Sequence, residues 1–102
     1  MITIIILAAG SSSRMRGRDK LLEKIDDIPL LRQQALAALA VSNDVIITLP
    51  PAPHPRYRTV SDLNVSPLSV KDATEGISAS IRTAIKSLSQ KTTKAMLLLA
   101  DL

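Results

Sequence analysis

Gly10 is followed by Ser11, Ser12, Ser13 and Arg14 and, a little further on, by Lys20, a grouping of residue types suited to holding an anion. A glycine lets backbone N–H groups close around a charged ligand with no Cβ in the way, and the serine hydroxyls add donors. Arg14 can fork onto two phosphate oxygens, whereas Lys20 offers a point charge on a flexible stem that follows phosphates as they move. Arg16, Arg18 and Lys24 extend the same cluster, and such a concentration of cations after a glycine turn suits a polyphosphate. Arg16 and Arg18 read as rim charges that steer anions without a specific contact. Neither familiar glycine-rich code is present: there is no G-x-G-x-x-G, and Gly17 is followed by Arg18-Asp19 and not by Lys-Ser or Lys-Thr.

Other chemistries are poorly supplied. The chain has no cysteine, which removes disulfides and thiolate metal sites. Its single histidine, His54, lies among prolines and reads as an exposed loop residue, not a base. Met15 reads as a flexible gap-filler under the loop. Asp19, Asp26, Asp27 and Asp62 read as surface charges. With no Phe, no Trp and only Tyr57, the chain lacks the stacking platforms that single-stranded nucleic acids require, so no nucleic-acid partner is expected despite a net charge of +4.

A chain of 102 residues that is 46% hydrophobic, with mean hydropathy +0.21, can build one aliphatic core and not two. The apolar run at residues 2–9 is far below membrane-spanning length and carries neither a basic leader nor a cleavage pattern, so a cytoplasmic protein with no membrane partner is expected.

Several elements must position the loop. Ile2 to Ala8 is a continuous, largely β-branched run ending near Gly10, as a strand buried on both faces of a parallel sheet appears. Residues 11–28 are polar and charged. Pro29 then precedes Leu30 to Ala40, rich in helix formers. Asn43-Asp44 leads into a second strand, Val45 to Leu49, which stops at Pro50-Pro51 because proline cannot donate to a ladder. Residues 56–66 show no period, and Leu68-Ser69-Val70 is expected as a short third strand. Ile77, Ile81, Ile85 and Leu88 recur at helical spacing, with Ser80, Arg82 and Lys86 on other faces, which predicts an amphipathic helix over 77–89. Ala95 to Ala100 is a last buried-type strand, followed by Asp101. Alternating strands and helices predict an α/β domain with a mostly parallel sheet, whose ligands gather at the carboxyl ends of the strands.

The stretch from Leu7 to Leu22, LAAGSSSRMRGRDKLL, closely resembles the signature L-A-A-G-x-S-x-R-M-(x)-G-x-x-K-L-L of MobA-like nucleotidyltransferases. Pro29-Leu30-Leu31 is similar to the family's turn into the first helix, Glu75 to Arg82 resembles its G-M-x-x-S-L-R segment, and Ala100-Asp101 resembles A-D-M-P. Four blocks in family order cover the chain. Asp27 departs from the pattern, standing where the family usually has the turn glycine, a change that a turn-tolerant residue accommodates.

The resemblance implies a Rossmann-like three-layer sandwich of the nucleotide-diphospho-sugar transferase type, with residues 1–102 forming its N-terminal, nucleotide-binding part and the acceptor-binding part absent. It implies a nucleotide cradle at Leu7, Ala8, Ala9, Gly10, Ser11 and Ser12, with Arg14 and Lys20 as the catalytic cations on the phosphates. Gly76, Ser80 and Arg82 would lie along the base or ribose, and Asp101 would hold Mg2+. Ala9, where guanylyl-transferring relatives tend to have glycine, makes the loop similar to the MocA-type cytidylyl-transferring branch. The expected activity is therefore transfer of CMP from CTP, favoured over GTP, to a phosphorylated acceptor such as molybdopterin, in molybdenum cofactor biosynthesis. Sugar-phosphate or polyol-phosphate nucleotidyl transfer is the nearest enzymatic alternative, and a non-catalytic nucleotide-binding fragment is the alternative of another class. These 102 residues alone are expected to be inactive and to self-associate through the exposed last strand.

Overall fold

The computed structural model describes residues 1–10, 14–15, 18–71 and 77–100, with the backbone only at 14–15. Strand β1 (Ile2–Leu7) is followed by two short antiparallel pairs, β2 (Arg14–Met15) with β3 (Arg18–Asp19), and β4 (Lys24–Ile25) with β5 (Ile28–Pro29). A 3-10 helix (Lys20–Leu22) lies between the pairs. Then come helix α1 (Leu30–Val41), strand β6 (Asp44–Leu49), a second 3-10 helix (Pro55–Thr59), β7 (Ser66–Ser69), helix α2 (Ile77–Lys86) and β8 (Lys94–Leu99).

Four strands form one parallel sheet in the order β7-β6-β1-β8, confirming the α/β, Rossmann-like architecture. Register places Ile4 opposite Val45 on one side and Met96 on the other, and Leu7 opposite Thr48 and Leu99. The chain steps outward from β1 to β6 to β7, then returns across to β8 on the other side of β1. The order of strands therefore reverses between β1 and β8, and the crevice beyond their carboxyl ends is where sheets of this type take ligands.

Alternate residues of the strands serve opposite faces. On one face Ile4, Ile6, Ala8, Val45, Ile47 and Leu49 pack with Leu31, Ala35 and Ala38 of α1, together with Leu21 and Val60. On the other, Ile5 and Ile46 pack with Ala84 of α2 and with Leu7, Leu68 and Leu88. Helix α1 begins at Leu30, and its N-cap, Pro29, supplies no side-chain cap. Its start is tied down instead by Leu30 N–H donating to Glu23 O at 2.8 Å. Gln33 adds to this, donating from Nε2 to Ile25 O and Ile28 O at 2.8 and 3.0 Å.

The structure corrects the expectation for α2. The helix starts at Ile77 but ends at Lys86, and its buried residues are Ala79, Ser80 and Ala84, while Ile77 and Ile85 are 49% and 55% exposed. Ile77, Ile81 and Ile85 make an i, i+4 row on a flank, rotated away from the row that touches the sheet. Small side chains let the helix approach β1 and β6 closely, so alanine and serine occupy the contact. Ser80 is consequently on the sheet side, not on an outer face. The third strand likewise lies slightly earlier than expected, at Ser66–Ser69.

Asp26 and Asp27, exposed as expected, form the two-residue turn between β4 and β5 with φ of 53° and 68°. Two left-handed residues are what a tight hairpin of this hand requires, and aspartate is among the few side chains that accept that conformation.

Candidate functional site

The carboxyl ends of the central strands converge on Ala8, Ala9 and Gly10. Ala8 N–H donates to Thr48 O at 3.0 Å and to Thr48 Oγ1 at 3.2 Å, which extends the β1–β6 ladder one residue past the strand. On the other side Ala100 N–H donates to Leu7 O at 3.3 Å, so the end of β8 lies directly beside the exit of β1. Ala8 and Ala9 are buried at 2% and 5% exposure, whereas Gly10 is half-buried at the lip.

Arg56 underlies this lip. The second 3-10 helix holds it there: His54 Nδ1 accepts from Arg56 N–H at 3.1 Å, and Tyr57 Oη donates to Pro50 O at 2.6 Å. His54 is thus a half-buried cap and not an exposed loop residue. The Arg56 side chain is 1% exposed. Its Nη1 donates to Ala8 O at 2.7 Å and to Gly10 O at 2.9 Å. Nε donates to Asp19 Oδ2 at 2.7 Å and Nη2 to Asp19 Oδ1 at 3.1 Å.

Asp19 is therefore no surface charge, since its side chain is 8% exposed and paired with Arg56. A carboxylate can leave water at such a position only with a charged partner and further donors. Arg56 provides the first, and Leu21 N–H, donating to Asp19 Oδ1 at 3.1 Å, provides a second kind. That last bond also caps the first 3-10 helix, whose first residue is Lys20. One buried guanidinium thus joins the exit of β1 to the segment that carries Lys20. Sequence reasoning missed Arg56 altogether. It lies 37 residues from Asp19 in an aperiodic stretch, and no local pattern marks a pairing at that separation.

Among the expected site residues, Leu7, Ala8, Ala9 and Gly10 stand together at the end of β1, with Lys20 half-buried at the start of its 3-10 helix. Ser80 lies buried in α2 and Arg82 is exposed on it. The backbone of Arg14 pairs with that of Asp19 in the β2–β3 ladder, which brings Arg14 into the same region, but its side chain lies outside the described part. Ser11, Ser12, Gly76 and Asp101 also lie outside the described residues. Among the described residues no group of three or more His, Cys, Asp or Glu side chains gathers as a metal site, and no helix is long and apolar enough to cross a membrane.

A second ion pair lies at the edge of this region. Arg32 of α1 donates to both carboxylate oxygens of Asp62 at 2.6 and 3.0 Å and to Thr59 O at 3.2 Å. Its hydrogen bond from Arg32 holds the Asp62 carboxyl below the ordinary carboxylate range, and the same bond raises Arg32. Asp62 is exposed, as expected, at 64% of its side chain.

Comparison with known proteins gives a consistent result. A family model described as the MobA-like NTP transferase domain matches residues 4–102. No curated protein matches the chain. Among solved structures, the chain is similar to that of Rv0371c from Mycobacterium tuberculosis H37Rv, with 30% identity and a TM-score of 0.77 over 98% of this chain. The chain spans about half of that protein, 51% of its length.

Proposed function

Because the chain belongs to the MobA-like NTP transferase family, we propose that it forms the nucleotide-binding side of a nucleotidyltransferase, with the triphosphate at the exit of β1. The observation that carries this reading is the position of Gly10, just beyond β1 and beside the end of β8, at the point where the strand order reverses. The backbone from Leu7 through Ser12 would surround the phosphates, with Arg14 and Lys20 neutralising their charge. An acceptor oxygen then attacks the α-phosphorus, the α–β phosphoanhydride bond breaks, and pyrophosphate leaves. Such a transfer depends on positioning and charge neutralisation and needs no covalent protein intermediate. Gly76, Ser80 and Arg82 are proposed to lie along the nucleoside.

Mg2+ is the cofactor that this chemistry favours, because the ion takes carboxylate, water and phosphate oxygens. Asp101 is the proposed ligand. What supports this reading is that Ala100, the residue before it in the chain, is bonded to Leu7 at the exit of β1. The ion would offset charge on the phosphates.

Ala9 supports CTP over GTP and a phosphorylated acceptor of the molybdopterin kind. Transfer is proposed for a domain of the length seen in the solved relative, whereas these 102 residues by themselves are proposed to bind nucleotide without turnover.

Calorimetric titration of the chain with CTP and with GTP, each with Mg2+, tests the assignment. Arg14→Ala and Lys20→Ala should each weaken binding roughly 10- to 150-fold, the equivalent of about 1.5–3 kcal/mol for a hydrogen bond to a charged group. Unchanged affinity in both variants would sink the site, and tighter binding of GTP would overturn the cytidylyl reading.

A further inference from the structure

We propose that Arg56 is a positioning residue for the nucleotide loop: from beneath, its guanidinium sets the peptide planes at Ala8–Gly10 and cancels Asp19, so that the lip presents donors and no net negative charge. The inference deepens the reading of the triphosphate site and rests on it.

The argument starts with peptide geometry. In a trans peptide the C=O of one residue and the N–H of the next point in opposite directions. Arg56 Nη1 donates to Ala8 O at 2.7 Å, which turns that carbonyl toward the buried guanidinium and the N–H of Ala9 away from it. The bond to Gly10 O, at 2.9 Å, fixes a second carbonyl in the same sense. A carbonyl oxygen facing a phosphate would repel it, so a device that draws carbonyls inward favours anion binding above.

The second part concerns charge. Asp19 immediately precedes Lys20, and an uncompensated carboxylate there would oppose a polyphosphate and draw Lys20 onto itself. Arg56 engages both Asp19 oxygens, at 2.7 and 3.1 Å, which fits the planar fork and leaves Nη1 for the carbonyls. A lysine could supply the charge but could not make this fixed set of four bonds. Arg56 is 1% exposed and lies on the underside of the loop, so its part is to hold the loop and not to contact the ligand.

Two variants separate this role from a merely structural one. Arg56→Lys keeps the charge and loses the fork. The double variant Asp19→Asn with Arg56→Gln removes the buried pair while retaining an acceptor for Leu21 N–H. For each, amide hydrogen exchange at Ala8, whose N–H bonds Thr48 O, and at Ala9 is measured on the nucleotide-free chain, and the Kd for CTP with Mg2+ is measured where the chain is folded. The expected result is faster exchange at Ala8 and Ala9, with α1 unchanged, and a Kd weakened by about tenfold or more in both variants, on the scale of one lost hydrogen bond to a charged group. The slope of log Kd against log salt should stay at its original value, since the cations on the phosphates remain.

Unchanged exchange and unchanged Kd in the folded variants would overturn the proposal. So would full recovery of affinity in the double variant, which would reduce Arg56 to a counter-ion of Asp19, and so would global unfolding of both variants, which would make the pair a support of the whole fold. If the unaltered chain binds neither CTP nor GTP, the functional reading fails, while the exchange data still decide whether Arg56 holds the loop.

Discussion

Strands β6 and β8 flank β1 on opposite sides, run parallel to it and are both dominated by aliphatic residues, yet they meet different surroundings. In β6, Val45, Ile47 and Leu49 are at most 2% exposed, covered by α1 on one face, while Ile46 is covered by α2 on the other. In β8, Met96, Leu97 and Leu99 are 47%, 45% and 40% exposed. What separates them is neighbours: β6 is hydrogen-bonded to β1 and β7, whereas β8, among the described residues, pairs with β1 alone. The contrast teaches that an apolar run states a requirement for burial, and that the surrounding elements decide whether the requirement is met.

The largest expected effect breaks the comparison directly. Ile47→Ala, at a fully buried position, should cost about 2–5 kcal/mol of stability through lost transfer energy and a cavity. Leu97→Ala, already near half exposure, should cost about 1 kcal/mol, roughly half of what full burial of a leucine contributes. Urea unfolding of the two variants gives both values, and equal losses would mean that β8 is as well covered in solution as β6.

A smaller effect concerns association. The edge of β8, unpaired among the described residues, and its exposed Met96, Leu97 and Leu99, with Ile77 and Ile85 also exposed, are expected to bring a second copy of the 102-residue chain against this side. Light scattering should show dimers or larger species, and placing lysine at both Leu97 and Leu99 should shift them to monomer. A monodisperse monomer before any substitution would refute the expectation.

The smallest effect belongs to the well-formed but exposed pair Arg32–Asp62. Asp62 is held below its ordinary range in the folded chain, so its contribution is present above the unfolded-state value and is lost as pH falls through the folded one. That window lies below about pH 4, the reference for an aspartate. At neutral pH Asp62→Asn should barely move the thermal midpoint, because exposed pairs are screened and cost side-chain freedom. A change as large as that from Ile47→Ala would show that the link from α1 to the turn after the second 3-10 helix is a major support.

Much of the frame was legible in the sequence. Strand β1, helix α1, strand β6 and strand β8 begin and end within about a residue of the runs bounded by Gly10, Pro29, Asn43, Pro50 and Asp101, because long apolar stretches with strong breakers carry their own limits. The pairs β2–β3 and β4–β5 were not legible, since two-residue ladders are too short to carry a period. For α2 the period was real but misleading: Ile77, Ile81 and Ile85 mark a flank, and alanine and serine mark the contact with the sheet. That Gly10 stands just beyond β1 could be read from the end of the apolar run, whereas the buried state of Asp19 could not.

By itself the sequence determined which segments are strands and helices, that the sheet is parallel, and that a glycine with nearby cations follows the first strand. These are local properties, carried by residues adjacent in the chain. Tertiary structure alone decided the strand order β7-β6-β1-β8, the rotation of α2, the exposure of β8, and the joining of Asp19 to Arg56 beneath Ala8 and Gly10. Each of these depends on contacts between residues far apart in the chain, where a charge becomes a buried partner or an isoleucine becomes a surface only after the elements have packed.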